Sequence, residues 1–427
     1  MCYAIPGKLV KIDGKVGIVD YFGEKRKVLM DLDDAQVGDY VYAQGGVLIS
    51  KITEEEALET LEFWKDRFFE LKKVDEKLAK VHGAEASKNV LAILQKANLK
   101  QELSRQDIIT LLKLEDPNEL KLLYETANNI RQRDHDNACC VHGILEFSNH
   151  CSNDCHYCGI HKSRNLHRYR MSEEEILSNA KHAIETLKFK AIVLQSGEDG
   201  FYTAEMLARI VTNIRNMGTL VFLSIGMRSK QTYKQLYDAG ARAILLRFET
   251  SDRNIFATLR PGTDFDQRID LIKYAKSIGY LVATGFMIGL PGETQETIAD
   301  NILLTKQLGA EMHSFGPLIP AEGTPLANEH KTNIDMLLKI IAISRLTDRK
   351  SKILVTTAME TLDPSARKRG LLAGGNSMML NLTPEQYRKL YAIYPGRADN
   401  QKEIKQNIDE TTNLLYSIGR APTDIGL

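Results

Sequence analysis

Two different spacings of apolar residues divide the chain. Over residues 1–50, short apolar runs alternate with turns. The runs are Lys8–Ile12, Val16–Tyr21, Lys27–Met30 and Tyr40–Ala43, and the breaks fall at Asp13-Gly14, Phe22-Gly23 and Val37-Gly38-Asp39. Short β-rich runs at this spacing predict a small antiparallel, OB-like β-barrel. The pattern then changes to a helical period. Thr53-Glu54-Glu55-Glu56 reads as a capping box with an acidic first turn, and Ala57, Leu58, Leu61, Trp64 and Phe68 form one apolar face. This first unit spans residues 1–75. Residues 76–138 read as a helical bridge after a charged helix end or linker at Lys72 to Lys80. Its helices are expected at Ser87–Ala97, Ser104–Leu114 and Asp116–Arg133, with Pro117 at a first helical position. Arg131, Arg133 and His135 read as a solvated helix end, and Cys139 and Cys140 as buried small residues.

From residue 139 to 427 strand-like runs alternate with amphipathic helices. The runs are Val141–Phe147, Ala191–Gln195, Leu220–Ser224, Ala243–Phe248, Leu281–Met287, Met312–Gly316, Ile353–Thr357 and Ser377–Leu380. Eight such units predict a TIM-type parallel (β/α)8 barrel with a C-terminal helical extension, its closure left open. Chemistry in such a fold sits beyond the C-terminal ends of the strands. Polar residues gather there: Gln195-Ser196-Gly197-Glu198-Asp199, Ser224-Ile225-Gly226, Arg247-Phe248-Glu249-Thr250, Met312 with His313, and Thr356-Thr357. Their concentration on one rim points to an active site. Arg247 and Glu249 could equally form a structural ion pair, and Gly289-Leu-Pro-Gly-Glu-Thr294 a turn feeding a helix capped by Thr294.

Charge narrows the function. The 56 basic and 56 acidic residues cancel, so nothing favours nucleic acid. No apolar run approaches the roughly 20 residues of a membrane span. The first residues lack a signal peptide's pattern, and the six cysteines are too sparse and clustered for a disulfide framework, so a reducing cytoplasm is expected. Three of the six cysteines lie in Cys151-Ser-Asn-Asp-Cys155-His-Tyr-Cys158. Soft thiolates on one short loop suit an iron–sulfur cluster, or zinc if His150, His156 or His161 supplies a fourth ligand.

This CxxxCxxC spacing, with an aromatic residue before the last cysteine, resembles the signature of the radical S-adenosylmethionine (SAM) superfamily. The resemblance implies a 4Fe-4S cluster held by Cys151, Cys155 and Cys158, with one iron open to SAM and Tyr157 at the cofactor. Residues 135–400 are similar to the HydE family of FeFe-hydrogenase maturases, in the biotin synthase and methylornithine synthase group. The likeness is carried by Leu194-Gln-Ser-Gly-Glu-Asp199, Leu246-Arg-Phe-Glu-Thr250, Leu259-Arg-Pro-Gly-Thr263, Met287-Ile-Gly-Leu-Pro-Gly292, Phe315-Gly-Pro-Leu-Ile-Pro320, Thr356-Thr-Ala-Met359 and Tyr387-Arg-Lys-Leu-Tyr391. It implies that Ser224, Glu249 and Arg268 contact SAM, with Gly197 allowing close backbone approach. Arg268 would take the carboxylate and Glu249 the cationic end. Gln195, Arg247, Met312, Thr357 and Tyr391 would line the substrate cavity. Met227 stands where the family is expected to have glutamate. No cysteine follows Cys158, which excludes a second cluster on the barrel side.

The opening Met1-Cys2-Tyr3-Ala4-Ile5-Pro6-Gly7-Lys8 resembles the HypC family of NiFe-hydrogenase assembly chaperones. In that family the second-position cysteine holds an iron-containing intermediate, which makes Cys2 a candidate metal ligand. Gln44 stands where the family's metal-binding histidine is expected. Together the resemblances imply a radical SAM maturase acting on a cysteine-bound iron carbonyl–cyanide unit. A reduced flavodoxin- or ferredoxin-type donor and other hydrogenase maturases would be its partners. A methylornithine synthase-like mutase and a non-catalytic iron metallochaperone are the alternatives.

Overall fold

The structure is a computed structural model describing residues 4–32 and 34–425, the side chain of Gln401 excepted. Cys2 lies outside the described residues.

Five strands close the first barrel: β1 (Gly7–Asp13), β2 (Val16–Tyr21), β3 (Glu24–Leu29), β4 (Tyr40–Gln44) and β5 (Val47–Ile52), in the order β1-β2-β3-β5-β4. The pairings are antiparallel except for a single parallel contact, Leu29 with Val47. Leu9, Val19, Val28, Val41 and Leu48 fill the interior against Trp64, Phe68 and Leu71 of helix α1 (Glu54–Leu78). Thr53 and Glu56 cap α1 reciprocally, as their spacing predicts. Leu58, expected on the apolar face, is instead 51% exposed. The buried face is Ala57, Trp64, Phe68 and Leu71, a stripe on which position 58 does not fall.

Helices α2 (Lys88–Asn98), α3 (Arg105–Leu112) and α4 (Pro117–His135) form the bridge, capped by Ser87, Ser104 and Asp116. Of the residues expected to be solvated at the end of α4, Arg133 is exposed, but Arg131 and His135 are not. Arg131 is fully buried and donates to both oxygens of Asp75 on α1, at 2.7 and 2.8 Å. Arg420, equally buried, donates to the same carboxylate at 2.8 Å. His135 is buried as well. A guanidinium with a buried anionic partner can leave water, and that partner, Asp75, is far from Arg131 in sequence.

The second barrel uses β6 (Ala138–Ser148), β7 (Ala191–Ser196), β8 (Leu220–Ser224), β9 (Ala243–Leu245), β10 (Leu281–Thr284), β11 (Met287–Ile288), β12 (Met312–His313), β13 (Gly316–Pro317), β14 (Lys352–Ile353), β15 (Ser377–Asn381) and β16 (Ala421–Pro422). Eight run in one parallel sheet, β14-β12-β10-β9-β8-β7-β6-β15, with β16 paired to β6. The sheet's two edges meet at a parallel bridge between Leu354 and Ser377. Ser172, Thr203, Ser229, Asp264 and Thr294 cap helices between the strands. Beyond Thr284 and His313 the chains continue as the short pair β11–β13, which extends the rim.

The small barrel docks where the parallel strands begin. Val47 and Ile49 pack on Ala191 and Leu220, the first residues of β7 and β8. At Gly45, in the β4–β5 turn, an added Cβ would meet Leu281 and Leu220 at 3.0 and 3.1 Å, so the turn lies directly on the sheet. Asp31 pairs with Arg215 and Arg242 across the joint.

Candidate active site at the C-terminal rim

The cysteine loop leaves β6 at Ser148 and is pinned by its backbone. Ser152 N–H donates to Glu198 O, His156 N–H to Leu259 O and Gly159 N–H to Ile393 O. Arg168 reaches back to the carbonyls of Asn149, Ile160 and His161. Gly197 packs so tightly on this loop that a Cβ would lie 2.2 Å from His150 O and 2.9 Å from Cys151 Cβ. Its missing side chain is therefore required by the loop itself. Burial pushes the Cys155 thiol up to about 11 and Cys158 up to about 12, with Arg260 opposing both shifts and neighbouring cysteines adding to them. Binding a metal cluster as thiolates would release these protons.

Spacing decides against a single zinc ion. On a tetrahedral zinc with bonds of about 2.3 Å, thiolates stand roughly 3.8 Å apart. Among the described residues, the only group of three ligand atoms within 4.8 Å of one another lies elsewhere in the barrel. His161 is already engaged, with Nδ1 on Asp154 and Nε2 on Gly323 O. The three sulfurs are thus spread wider than one ion requires.

Beside the loop lies a cavity of about 320 Å³. It is walled by Cys151, Cys155, Tyr157, Cys158, Gln195, Gly197, Ser224, Arg247, Glu249, Arg268, Thr357 and Tyr391, which are residues expected there from the sequence. Met312 is not at the wall. It sits one layer deeper, 2% exposed, among Val193, Phe222, Ala243, Ala283, Leu354 and Met379. Alternation places its side chain inside the barrel, but at the depth of the apolar floor.

Charged residues that the sequence did not single out complete the site. Arg260 donates to Tyr157 Oη at 3.0 Å and to Glu198 at 3.3 Å. Arg268 stands 3.7 Å from Glu198 and 4.0 Å from Glu249. Arg247 and Glu249 do pair, at 3.4 Å. On the same cavity wall, Arg397 pairs with Glu146 and with Asp399, each at 2.8 Å. Glu249 adopts φ +72°, a left-handed conformation costly for a non-glycine residue and typical of functional sites. Glu249 Oε2 and Arg268 Nη1 are buried and make no hydrogen bond, having only the ion-pair contacts to Arg247 and Glu198 at 3.4 and 3.7 Å. One unsatisfied acceptor and one unsatisfied donor on a cavity wall suit a ligand with both an ammonium and a carboxylate.

Comparison with known proteins agrees with this geometry. Residues 145–304 match the radical SAM superfamily, and residues 1–64 match the HupF/HypC family. The FeFe-hydrogenase maturase subunit HydE of Thermotoga maritima is 37% identical over 77% of this chain and 94% of its own length. The chain belongs to the HydE family of radical SAM enzymes. The 3-methylornithine synthase of Methanosarcina acetivorans is 31% identical over 75% of this chain and 91% of its own. The crystal structure of a methylornithine synthase superposes with TM-score 0.68 at 25% identity, covering 77% of this chain and 97% of that one. The maturase HydG from Carboxydothermus hydrogenoformans shares the fold, with TM-score 0.67 at 20% identity over 84% of each chain.

Membership implies a 4Fe-4S cluster and SAM. The residues fit both: three thiols on a pinned loop, and an unsatisfied carboxylate and guanidinium beside them. Among the described residues no helix is long and apolar enough to cross a membrane.

Proposed function

We propose that this enzyme acts on a cysteine-bound iron carbonyl–cyanide precursor during assembly of the FeFe-hydrogenase H-cluster. The observation that carries the reading is the cavity, lined together by Cys151, Cys155 and Cys158, by the Glu249–Arg268 pair, and by Arg397 with Glu146. When bound, the cluster supplies the electron that cleaves SAM to methionine and a 5′-deoxyadenosyl radical. Glu249 and Arg268 hold the two charged ends of SAM's amino acid. Tyr157, fixed by Arg260, closes the wall behind it. Arg247, Gln195, Thr357 and Tyr391 receive the substrate, and the apolar floor below keeps water out. A reduced flavodoxin- or ferredoxin-type protein supplies the electron, and other hydrogenase maturases exchange the iron unit. The HypC-like barrel receives or delivers that unit through Cys2.

A second reading has support of its own, because the methylornithine synthases match over three quarters of this chain and at least nine tenths of their own. On that reading the cavity holds an amino acid and the enzyme is a mutase. Anaerobic incubation of the reduced, reconstituted protein with SAM separates the two. We expect 5′-deoxyadenosine production to rise with a cysteine-bound iron carbonyl–cyanide complex and not with lysine. Stimulation by lysine alone would replace the first reading with the second. No 5′-deoxyadenosine under any condition would leave a metallochaperone. Cys2→Ala is expected to slow hydrogenase maturation; maturation at the wild-type rate removes the role given to Cys2.

A further inference from the structure

At the opposite end of the barrel from the SAM cavity lies a second set of metal-ligating side chains. Cys140 and His142 alternate on β6 with the inward-facing Ile144 and Glu146, so they point into the barrel below its apolar floor. Asp424 lies two residues past β16, which pairs with the start of β6. The thiol, an imidazole nitrogen and a carboxylate oxygen lie within 4.8 Å of one another, and all three residues are buried. His142 Nε2 is 3.7 Å from Asp424 Oδ2. That oxygen also accepts from Val141 N–H at 2.8 Å and Thr423 Oγ1 at 2.9 Å, so the carboxylate is held in place. Its Oδ1, however, has no hydrogen-bond partner, and neither has His142 Nδ1. Two orphaned polar atoms on side chains at most 1% exposed are costly unless something satisfies them.

We propose that Cys140, His142 and Asp424 form a second metal site, for a divalent ion of the iron(II)–zinc(II) type. One sulfur, one nitrogen and one oxygen donor suit such an ion and disfavour magnesium or calcium. With bonds of about 2.0–2.3 Å, the three ligands need only a small inward rotation to share it. Binding converts the Cys140 thiol to a thiolate and releases its proton to solvent. Three protein ligands leave the fourth position of a tetrahedral ion to another donor. The site lies at the joint between the two barrels. Ile5 of the small barrel packs in one cluster with Ala138 and Ala421, each two or three residues from a proposed ligand. The site does not depend on the substrate assigned to the cavity above.

Zinc tests this in the full-length protein with its cluster reconstituted. The loaded protein, freed of loosely held metal, is expected to keep one zinc per chain beside its four irons, with the cluster's reduced electron paramagnetic resonance signal unchanged. Zinc-edge X-ray absorption is expected to show one sulfur among nitrogen and oxygen ligands, a readout that needs no variant. Cys140→Ser and His142→Asn are expected to lose the zinc, and Asp424→Asn to bind it at least tenfold more weakly. No retained zinc, a sulfur-free spectrum, or full retention in both Cys140→Ser and His142→Asn overturns the proposal. So does loss in Cys2→Ser alone. Failure of substrate turnover would not affect these results.

Discussion

Replacing Asp75 by asparagine tests what joins the small barrel to the rest of the chain. One carboxylate there faces two guanidinium groups. Arg131 donates twice to it and Arg420 once, and all three side chains are at most 1% exposed. Burial and the neighbouring Arg420 already press the Arg131 guanidinium down to about 10, with Asp75 holding against both. Removing the charge leaves two like cations in a dry site. Arg131 would retain only Asn128 Oδ1 and Asp136 O, and Arg420 the carbonyls of Gly375 and Leu371 with the same Asn128. Breaking a buried pair costs about 3–5 kcal/mol, and with two stranded charges the upper end applies. Asp75→Asn should therefore lower the urea midpoint sharply and expose α1 to limited proteolysis. Adding Arg420→Gln should recover part of the loss, because the two changes share one network. An Asp75→Asn protein within about 0.5 kcal/mol of wild type, or a double variant whose losses simply add, would show that these bonds do not hold the joint.

Three further perturbations follow from other sites. Glu293 is pushed up to about 7 by burial, against backbone donors at Gly289 and Leu290. A raised carboxyl means that its contribution to stability is complete below about pH 4.5 and is lost as pH rises through 7. Glu293→Gln should thus stabilise at pH 8 by up to about 3 kcal/mol and do little at pH 4, read from urea midpoints; equal effects at both pH values would refute it. Gly419 has φ +72° and would place a Cβ 2.3 Å from Asp75 N and 2.5 Å from Leu71 O. Gly419→Ala should therefore cost about 3 kcal/mol by the same measurement, and a neutral effect would mean that α1 can shift freely. Arg268→Lys keeps the charge but loses the planar fork beside Glu249. SAM affinity by equilibrium binding should fall about 10- to 100-fold with iron content unchanged, and undiminished affinity removes Arg268 from the SAM site.

Periodic features were legible in the sequence, and pairings between distant residues were not. A strand begins at or within one residue of the start of seven of the eight runs, the first starting earlier at Ala138. Ala243–Phe248, however, is a strand only to Leu245, and Ile353–Thr357 only at Ile353, with Thr357 opening a helix. The caps at Ser87, Ser104, Asp116 and Thr294 are found where local pattern puts them. The cysteine loop was equally plain, because its chemistry is carried by spacing alone. Arg131 has no local signal for burial because a charged helix end is ordinarily solvated, and the carboxylate that neutralises it, Asp75, lies 56 positions before it. Arg260 and Glu198 stood inside quoted motifs, yet their pairing across 62 positions has no local signal. Met312 shows the limit of strand alternation. A period of two says which face a side chain takes, but not its depth along the barrel axis.

That depth bears on how the two barrels can cooperate. The small barrel docks at the N-terminal ends of the strands, whereas the cavity opens at their C-terminal ends. On β6 the inward residues run Cys140, His142, Ile144, Glu146, so about 7 Å of strand separates the nearer ligand, His142, from Ile144 at the cavity wall, and about 20 Å separates Cys140 from Glu146. Between them lies the layer of Val193, Phe222, Ala243, Ala283, Met312, Leu354 and Met379, which offers an ion no polar partner. Carrying a charged iron unit through that layer would cost at least several kcal/mol of desolvation. On the proposed function, then, a charged iron unit passed between the HypC-like barrel and the cavity goes around the barrel through solvent or a partner protein. The lower site, held at the joint itself, is placed to serve the attachment of the two units and not the traffic between them.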